Sequence, residues 1–286
     1  MALENMNLML KKANEGHYAV PQFNVWNLEW VSAVLDQCNE LKTPVILGVS
    51  QNGAKYMGGF LVVVEMIKAY IKSQNISIPV AIHLDHASSF EICKEAIDAG
   101  FSSVMIDASK YSLNENILMT KQVVEYAHKF NVSVEAELGR VGGKEDLVVA
   151  ESFYAIPDEC EKMVNMTHID CLAPALGSVH GFYRGEPHLG FKEMKEIHEK
   201  IKLPLVLHGG SGLPDEQLKK AISLGTAKIN VNTDCLVAWI DIVRDILEKN
   251  PKEIDPRKII GPGKKGIQEV IKNKCEIFGS IGKANI

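Results

Sequence analysis

Eight short apolar segments alternate with longer amphipathic segments along this chain of 286 residues. The apolar segments are rich in Val, Ile and Leu nearly throughout, which is typical of strands covered on both faces in a parallel sheet. They span 18–24, 44–50, 79–85, 102–107, 132–138, 171–176, 204–209 and 227–232. The amphipathic segments between them predict helices, several of which begin at Ser, Asn or Asp caps. This alternation predicts an α/β fold, a closed (β/α)8 TIM barrel.

The length of the chain fits one such barrel, which typically needs about 250 residues. No linker divides the sequence, so we expect residues 1–286 to form a single TIM-barrel domain with an extra N-terminal helix and a C-terminal helical segment. A doubly wound open sheet is the alternative, because eight parallel strands need not close. The longest polar, Gly-containing connection is 139–156, which predicts a lid. The segment 261–266 fits G-x-G-x-x-G formally but follows no clear strand, which favours a turn.

Charge and composition exclude several classes of protein. The net charge is −5 and there is no basic block, which argues against a nucleic-acid or anionic membrane surface. No apolar run approaches the roughly 20 residues of a membrane span, and the acidic, amphipathic N-terminus does not resemble a signal peptide. The six scattered Cys indicate reduced thiols rather than a disulfide framework. We therefore expect a cytoplasmic protein.

Polar side chains lie at the C-terminal end of nearly every predicted strand. The third strand ends in His-Leu-Asp-His, and a packed Asp between two His is costly to desolvate unless something binds there. Barrels place their functional residues on this rim, so the set predicts a site. Its members are Asn24, Ser50, Asp85, His86, Asp107, Glu137, His208 and Asn230, with His180 in the loop after strand six.

Three of these histidines form a candidate metal centre. His86, His180 and His208 come from three different strand–loop junctions, which a barrel brings together. Three neutral imidazoles with one open position are the usual ligands of catalytic Zn²⁺. For any one His alone, a structural role is the simpler interpretation, but their joint placement favours metal binding. His83, two residues before Asp85, is expected to face the same side and to lie behind the ligands.

Two carboxylates, Asp107 and Glu137, end the fourth and fifth strands. They suit either an ion-pair or capping role or a second metal position beside the histidines. Glycines and small polar residues cluster after strands six, seven and eight, at 178–185, 208–212 and 230–234. Backbone N–H groups of such loops approach anions closely, which predicts a phosphate site.

Five motifs, in this order, carry a family resemblance: LDH, VEAELGRVGG, LAPALGSVHG, LVLHGGSG and KINVNTD. With them the sequence closely resembles the class II, metal-dependent fructose-bisphosphate aldolases and their ketose-bisphosphate relatives, from about Tyr18 to the C-terminal FGSIGKA. The resemblance implies a TIM-barrel lyase of carbohydrate metabolism, in glycolysis if fructose 1,6-bisphosphate is the substrate. Its partners would be sugar phosphates and further copies of itself, as a homodimer or homotetramer.

Carried over residue by residue, the resemblance implies a role for each motif position. Asp85 would be the acid/base at the substrate C4 hydroxyl, and Glu145 the acid/base on a mobile loop. Zn²⁺ would bind the three histidines, a second divalent metal would use the Asp107–Glu137 position, and a monovalent cation (Na⁺ or K⁺) would be a further cofactor. The substrate-binding residues would be Asn24, Ser50, Gly181, Arg184, Gly209, Ser211, Asn230, Asn232 and Thr233.

Several positions depart from the family pattern. Ala87 replaces the usual Gly after LDH, and Arg184 stands where many relatives have Lys. Leu236 stands where some relatives carry an Arg that holds the 6-phosphate, which leaves Lys55, Arg184 and Arg257 as candidate ligands of a distal anion. Fructose 1,6-bisphosphate is the first expectation for the substrate. The alternatives are tagatose 1,6-bisphosphate, 2-deoxy-5-keto-gluconate 6-phosphate, suggested by the similarity of NTDCLVAW to an inositol-catabolism branch, and sulfofructose 1-phosphate.

Three other mechanisms or functions compete with a zinc aldolase. A Schiff-base mechanism could use Lys228 in strand eight, but it would leave the three histidines without a purpose. A metal-dependent sugar-phosphate epimerase would need two opposed carboxylates across one carbon. A phosphosugar-binding regulatory protein would have no reason to keep Asp85, Glu145 and the histidines together. Turnover with and without a chelator separates these alternatives.

Overall fold

The computed structural model describes residues 3–145, 148–150, 154–183 and 185–285. Within these ranges the strands are β1 (Val20–Asn24), β2 (Val45–Ser50), β3 (Val80–Ala87), β4 (Ser103–Ile106), β5 (Ser133–Leu138), β6 (Gly142–Glu145), β7 (Val148–Ala150), β8 (Cys171–Pro174), β9 (Val179–His180), β10 (Leu205–Leu207) and β11 (Thr226–Val231). Eight of them close a parallel barrel in the order β1, β11, β10, β8, β5, β4, β3, β2. This confirms the predicted barrel and excludes the open doubly wound sheet.

Helices cover the outside of the barrel. They are α1 (Met6–Glu15), α2 (Leu28–Glu40), α3 (Gln51–Tyr56), α4 (Phe60–Ser73), α5 (Phe90–Ala99), α6 (Leu113–Ala127), α7 (Pro157–Thr167), α8 (Phe191–Ile201), α9 (Asp215–Ser223), α10 (Thr233–Lys249), α11 (Pro256–Ile259) and α12 (Lys264–Ile277). Side-chain caps fix the start of several, as where Ser112 and Glu115 form a capping box at α6. None of the helices in the described ranges is long and apolar enough to span a membrane.

Two apolar clusters hold the layers together. The larger one fills the space between the strands and the surrounding helices. The smaller one closes the N-terminal end of the barrel, where Met6, Met9 and Leu10 of α1 pack against strand residues such as Ile46 and Val206. The extra N-terminal helix predicted from the sequence is therefore a plug for the barrel floor. The opposite, C-terminal end of the barrel is left for polar residues.

Two local features differ from the predictions or were not predicted, and a third was predicted correctly. The segment expected to be an irregular loop, 139–156, contains β6 and β7, which form a small sheet with β9 in the order β7, β6, β9. The short helix α3, capped by Ser50, was not predicted. The turn predicted at 261–266 is confirmed, since Gly261–Gly263 form one 3-10 turn that leads directly into α12.

Candidate metal centre and substrate site

A bulge at the end of β3 brings two neighbouring side chains to the same site. In a regular strand, adjacent side chains point to opposite faces. Here the pairing of β3 with β4 shifts register between Leu84 and Ala87, and His86 has a left-handed backbone with φ of 52°. His is one of the residue types that adopt this conformation more readily than most. Asp85 and His86 consequently both reach the C-terminal mouth of the barrel.

The three predicted histidines converge there. The Nδ1 atom of His208 lies 3.0 Å from Nε2 of His86 and 3.4 Å from Nε2 of His180. Tetrahedral coordination with Zn–N distances of about 2.0–2.1 Å separates ligand nitrogens by roughly 3.3 Å. All three ligand atoms lie within 4.8 Å of one another, and all three residues are buried. The spacing of the donor atoms therefore fits a zinc ion.

Hydrogen bonds to the outer nitrogens of His86 and His208 indicate which nitrogen of each ring carries a lone pair. His208 Nε2 lies 2.8 Å from a carboxylate oxygen of Glu135, and His86 Nδ1 lies 3.1 Å from Oδ2 of Asp107. A carboxylate accepts hydrogen bonds, so these outer nitrogens carry the protons in neutral rings. The inner nitrogens of His86 and His208 then present lone pairs to each other at 3.0 Å. Two facing lone pairs repel, and a cation between them removes the conflict.

A fully buried ion pair supports His208 from behind. Lys228 Nζ lies 2.7 Å from Oε2 of Glu135, and both side chains have no exposed surface. Burial alone would raise the pKa of Glu135, but the Lys228 ammonium and the hydrogen bond from His208 hold it well below its usual range. Because Lys228 is buried and paired, it is not placed to attack a substrate carbonyl. This arrangement disfavours the Schiff-base alternative.

His83 lies inside the barrel behind the ligands, as predicted. Its Nδ1 is 2.8 Å from Oγ of Ser103, and its Nε2 is 3.7 Å from Oε2 of Glu135. Burial, with a smaller contribution from the Lys228 charge, lowers the pKa of His83 to about 3. The ring is therefore neutral near pH 7 and fills space beside the charged groups.

Asp85 is held by one of its two carboxylate oxygens. Gln22 Nε2 donates to Oδ2 at 2.9 Å, and Asn24 Nδ2 donates to the same atom at 3.2 Å. The other oxygen, Oδ1, is buried and has no hydrogen-bond partner among the described residues. A buried carboxylate oxygen without a partner is costly, so this atom is placed to exchange a proton with a ligand.

Asp107 and Glu137 lie on the outer side of His86 and form a second group that could hold a metal with it. Burial and the nearby Asp107 charge raise the pKa of Glu137 to about 8. Asp107 also accepts hydrogen bonds from the backbone N–H and the hydroxyl of Ser109, and Glu137 accepts one from Val141 N–H. Both interpretations of this pair, as a loop cap and as a second cation position, therefore fit the geometry.

A cavity of about 340 Å³ opens beside His180. Eight predicted substrate-binding residues line it, together with Trp26, Phe182 and Leu236: Asn24, Ser50, Gly181, Gly209, Ser211, Asn230, Asn232 and Thr233. The Oδ1 atoms of Asn230 and Asn232 are buried without a partner in the described structure. Such atoms are satisfied when a hydroxyl-rich ligand enters.

The N-terminus of α10 forms one wall of this cavity. The Ser211 hydroxyl accepts hydrogen bonds from the backbone N–H groups of Asn232 and Asp234 at 3.2 Å. Gly209 has a φ of 65°, and a Cβ there would collide with the backbone of Val179, so only Gly allows the two loops to approach this closely. Free N–H groups at a helix start favour an anion.

The family model described as fructose-bisphosphate aldolase class-II matches residues 4–283. The chain belongs to the class II fructose-bisphosphate aldolase family. This confirms the predicted class of enzyme, an aldolase, and class II members use zinc, which agrees with the spacing of the three imidazole nitrogens.

Aldolases of known sequence and structure resemble the chain over nearly its whole length. It is 60% identical over 285 residues to the fructose-bisphosphate aldolase of Geobacillus stearothermophilus, covering 99% of each chain. It is 56% identical to the fructose-bisphosphate aldolase of Staphylococcus aureus strain Mu50, covering 99% of this chain and 100% of that one. The crystal structure of the YdjI aldolase from Escherichia coli K12 superposes with a TM-score of 0.86 at 35% identity, covering 99% of both chains.

Not every residue predicted for the aldolase site lies beside this cavity. Lys55 lines a separate cavity of about 490 Å³ next to Phe60. Arg257 is exposed on α11, where its guanidinium donates to both carboxylate oxygens of Asp255 at 3.0 and 2.8 Å. Arg184 and the side chain of Glu145 lie outside the described residues.

Sequence reasoning missed several side chains that shape this aldolase site. Gln22 orients Asp85 and Glu135 orients His208, as the contacts above show. Both are polar residues inside otherwise apolar strands, and Glu135 stands two residues before Glu137, on the same face of β5. A polar side chain two positions before a predicted site residue, on the same face of its strand, was the available signal. Trp26 and Phe182 in the cavity wall carried no comparable signal, because an aromatic residue beside a strand end is ordinary.

Proposed function

We propose that this aldolase catalyses the reversible cleavage of fructose 1,6-bisphosphate to dihydroxyacetone phosphate and glyceraldehyde 3-phosphate. The observation that carries the proposal is the unpartnered Oδ1 of Asp85, the residue next to His86 at the end of β3, where three imidazole nitrogens converge. An acid/base next to a Lewis-acid site is what cleavage of the C3–C4 bond needs. The relatives at 60% and 56% identity are named fructose-bisphosphate aldolases, which supports this substrate.

The proposed zinc ligands are His86, His180 and His208. When bound, Zn²⁺ supplies a Lewis acid that stabilises the negative charge developing on the three-carbon ketone. Glu135 holds His208 in the tautomer whose Nδ1 carries the lone pair, and Asp107 holds His86 in the tautomer whose Nε2 carries it. These contacts keep the donor atoms pointed at one position.

The proton transfers are assigned to two carboxylates. Asp85 would remove the proton of the C4 hydroxyl, so that the C4 oxygen becomes the aldehyde as the C3–C4 bond breaks. Gln22 and Asn24 hold its other oxygen and fix the direction of the free one. Glu145 would exchange a proton at C1 of dihydroxyacetone phosphate when its segment closes over the mouth. The glycines at 142 and 143, which begin β6, supply backbone freedom for that movement.

The phosphate of the three-carbon half would bind at the N-terminus of α10. Gly181, Gly209 and Ser211 provide a close-fitting wall, and Asn230, Asn232 and Thr233 provide polar groups for the phosphate and hydroxyls. Ser50 and Asn24 line the same cavity, and we assign Arg184 to its outer edge from the family motif. Among the described lining residues there is no Lys or Arg. A monovalent cation beside the phosphate would offset its charge, and activation by K⁺ at constant ionic strength tests this.

We also propose a second divalent metal position at Asp107 and Glu137. Two buried carboxylates beside an imidazole repel each other when both are ionised, and a divalent cation would remove that repulsion. Titration of the chelated protein with Zn²⁺ or Co²⁺ should then give more than one equivalent bound. The Asp107→Asn variant should lose the second equivalent first.

The candidate substrates differ in their distal group, the group at the end of the ketose away from the three-carbon half. Leu236, Trp26 and Phe182 make the described cavity wall partly apolar, which favours a ketose without a second phosphate. 2-Deoxy-5-keto-gluconate 6-phosphate lacks a second phosphate, but its distal carboxylate would still need a cationic or polar partner.

Lys55 lines another cavity and Arg257 is paired with Asp255, so neither is placed at this wall. Arg184 is therefore the proposed ligand of a second anion, and it favours a bisphosphate. The test is kcat/KM on a panel of ketose phosphates, including tagatose 1,6-bisphosphate and sulfofructose 1-phosphate. If fructose 1-phosphate is cleaved as well as fructose 1,6-bisphosphate, the bisphosphate assignment is wrong.

The remaining proposals concern assembly and location. Apolar side chains on α10, among them Leu236, Val237 and Leu247, are 37–42% exposed, which supports burial against a second copy in a homodimer or homotetramer. Light scattering across a dilution series measures this. All six cysteines are buried and unpaired, which supports a reducing, cytoplasmic location. We assign residues 1–286 to one domain, because the terminal helices pack on the same barrel.

A further inference from the structure

One buried cation near the substrate cavity has no part in the mechanism above. Lys274 lies on α12, in the C-terminal segment, and is only 6% exposed. Its Nζ is 2.9 Å from Oδ2 of Asp234 in the first turn of α10. A lysine buried this deeply needs a counter-ion, and the Asp234 carboxylate provides it. The pair joins the last long helix of the chain to the helix that begins at the substrate cavity.

Asp234 stands directly behind the proposed phosphate subsite. Its own backbone N–H donates to the Ser211 hydroxyl, and Ser211 lines the cavity with Asn232 and Thr233. A carboxylate in the first turn of a helix stabilises the helix, but it also repels a phosphate bound at the same helix end. The described cavity wall has no Lys or Arg that would offset this repulsion.

We propose that Lys274 is a positioning residue for the phosphate subsite, acting through Asp234. Its ammonium neutralises the Asp234 carboxylate and holds it away from the cavity, so that a phosphate bound at the start of α10 meets no adjacent negative charge. This inference rests on the proposed function for the location of the phosphate. It gives the C-terminal helix a part in binding the substrate, although α12 contributes no residue to the described cavity lining.

Charge and simple stabilisation of the helix predict different signs for single substitutions. If charge governs the subsite, Lys274→Met exposes the phosphate to an unpaired carboxylate and weakens binding. Asp234→Asn leaves an unpaired ammonium nearby and strengthens binding. The double variant carries neither charge and should bind like the wild type. If the pair only fastens α12 to α10, both single variants weaken binding and the double variant does not recover.

The experiment measures the Kd of inorganic phosphate for the zinc-loaded protein by calorimetry, which needs no turnover. We expect Lys274→Met to raise the Kd by about tenfold, which corresponds to about 1.4 kcal/mol. Asp234→Asn should lower the Kd several-fold, and the double variant should lie within about threefold of the wild type, on the scale of a modest coupling. Lys272→Met, an exposed site on the same helix, is the matched control and should change nothing.

Several results would overturn the inference. These are weaker phosphate binding in Asp234→Asn, no recovery in the double variant, or no binding of phosphate to the wild type. Neutral dihydroxyacetone, used as a competitive inhibitor, should bind all four proteins equally, and a parallel loss would indicate general disruption. If Lys274→Met does not fold, the opposite sign expected for Asp234→Asn still decides the question. Cleavage of fructose 1,6-bisphosphate is assayed separately, so a failure of the proposed function would appear there and not in the phosphate titration.

Discussion

Replacing Glu135 by Gln should separate the stability of the barrel from its affinity for zinc. The amide keeps an acceptor for the His208 Nε2–H, but it removes the negative charge that lies 2.7 Å from Lys228 Nζ. Lys228 would then be a buried ammonium without a counter-ion, or would lose its proton. Losing the proton at pH 7 costs about 4.6 kcal/mol from an ordinary lysine pKa of about 10.4. That cost is of the same size as the roughly 3–5 kcal/mol seen when one partner of a buried pair is removed.

The second consequence concerns the metal. A carboxylate behind a ligating imidazole raises its basicity, and removing such a group typically weakens metal binding by about 10–100-fold. We therefore expect Glu135→Gln to lower Tm by roughly 10 °C and to raise the zinc Kd by about 10–100-fold. The double variant Glu135→Gln, Lys228→Met carries no buried charge at this position and should recover most of the stability. Its zinc affinity should stay low.

The assays are thermal unfolding of the metal-free protein and competition for zinc with a chromophoric chelator. Glu248→Gln, an exposed acid on α10, is the control and should leave both quantities unchanged. A zinc Kd within threefold of the wild type in Glu135→Gln would refute the proposed role of the carboxylate. So would full recovery of zinc affinity in the double variant, because Lys228 rather than the Glu135 charge would then govern the metal.

Three further predictions test the rest of the site. Removing the metal should abolish cleavage and Zn²⁺ or Co²⁺ should restore it, whereas His180→Ala should lose the metal; full activity after exhaustive chelation would contradict the zinc assignment. Glu145→Ala should keep zinc and a near-normal KM, lose about 10²–10⁴ in kcat, and lose solvent exchange of the C1 proton of dihydroxyacetone phosphate, whereas Asp85→Ala should block cleavage and retain part of that exchange. Exchange at the wild-type rate in Glu145→Ala would mean that the loop acid is misassigned. The pKa of His83 falls from 6.5 to about 3 on folding. As the pH drops, the unfolded state therefore binds a proton at this ring before the folded state does. The free energy of unfolding is unaffected by His83 well above pH 6.5 and decreases as the pH falls from 6.5 towards 3. Unfolding by urea at pH 6.5 and pH 5 should differ by about 2 kcal/mol from this group, and His83→Gln should reduce that difference.

The barrel was predictable because its strands obey one simple rule. Parallel strands buried on both faces are apolar at most positions, and each of the eight predicted segments contains or overlaps a barrel strand. The histidines were predictable for a related reason: strand ends that share a rim are brought together whatever the sequence distance, so His86 and His208 meet across 122 residues.

Local backbone geometry and buried charge were harder to predict. Alternation along β3 would put Asp85 and His86 on opposite faces, and only the bulge overrides it. The partner of Glu135 is Lys228, 93 residues later in another strand. The residue pattern of neither strand predicts this ion pair. The small sheet was missed because Gly142, Gly143 and the polar residues after them have low strand propensity. β6 pairs with both β7 and β9, and no local pattern reveals the pairing with β9.

The small sheet couples closure of the β6 segment to metal binding at His180. β6 leads to Glu145, and its Gly142 and Gly143 lie in parallel register with Val179 and His180 of β9. A displacement of the β6 segment therefore pulls on the backbone of His180, a proposed zinc ligand. If closure of this segment changes the affinity for the metal by some factor, the bound metal must change the equilibrium constant for closure by the same factor. A protein stripped of zinc should then spend more time open, and a protease that cuts near Glu145 would report on how much metal the barrel holds.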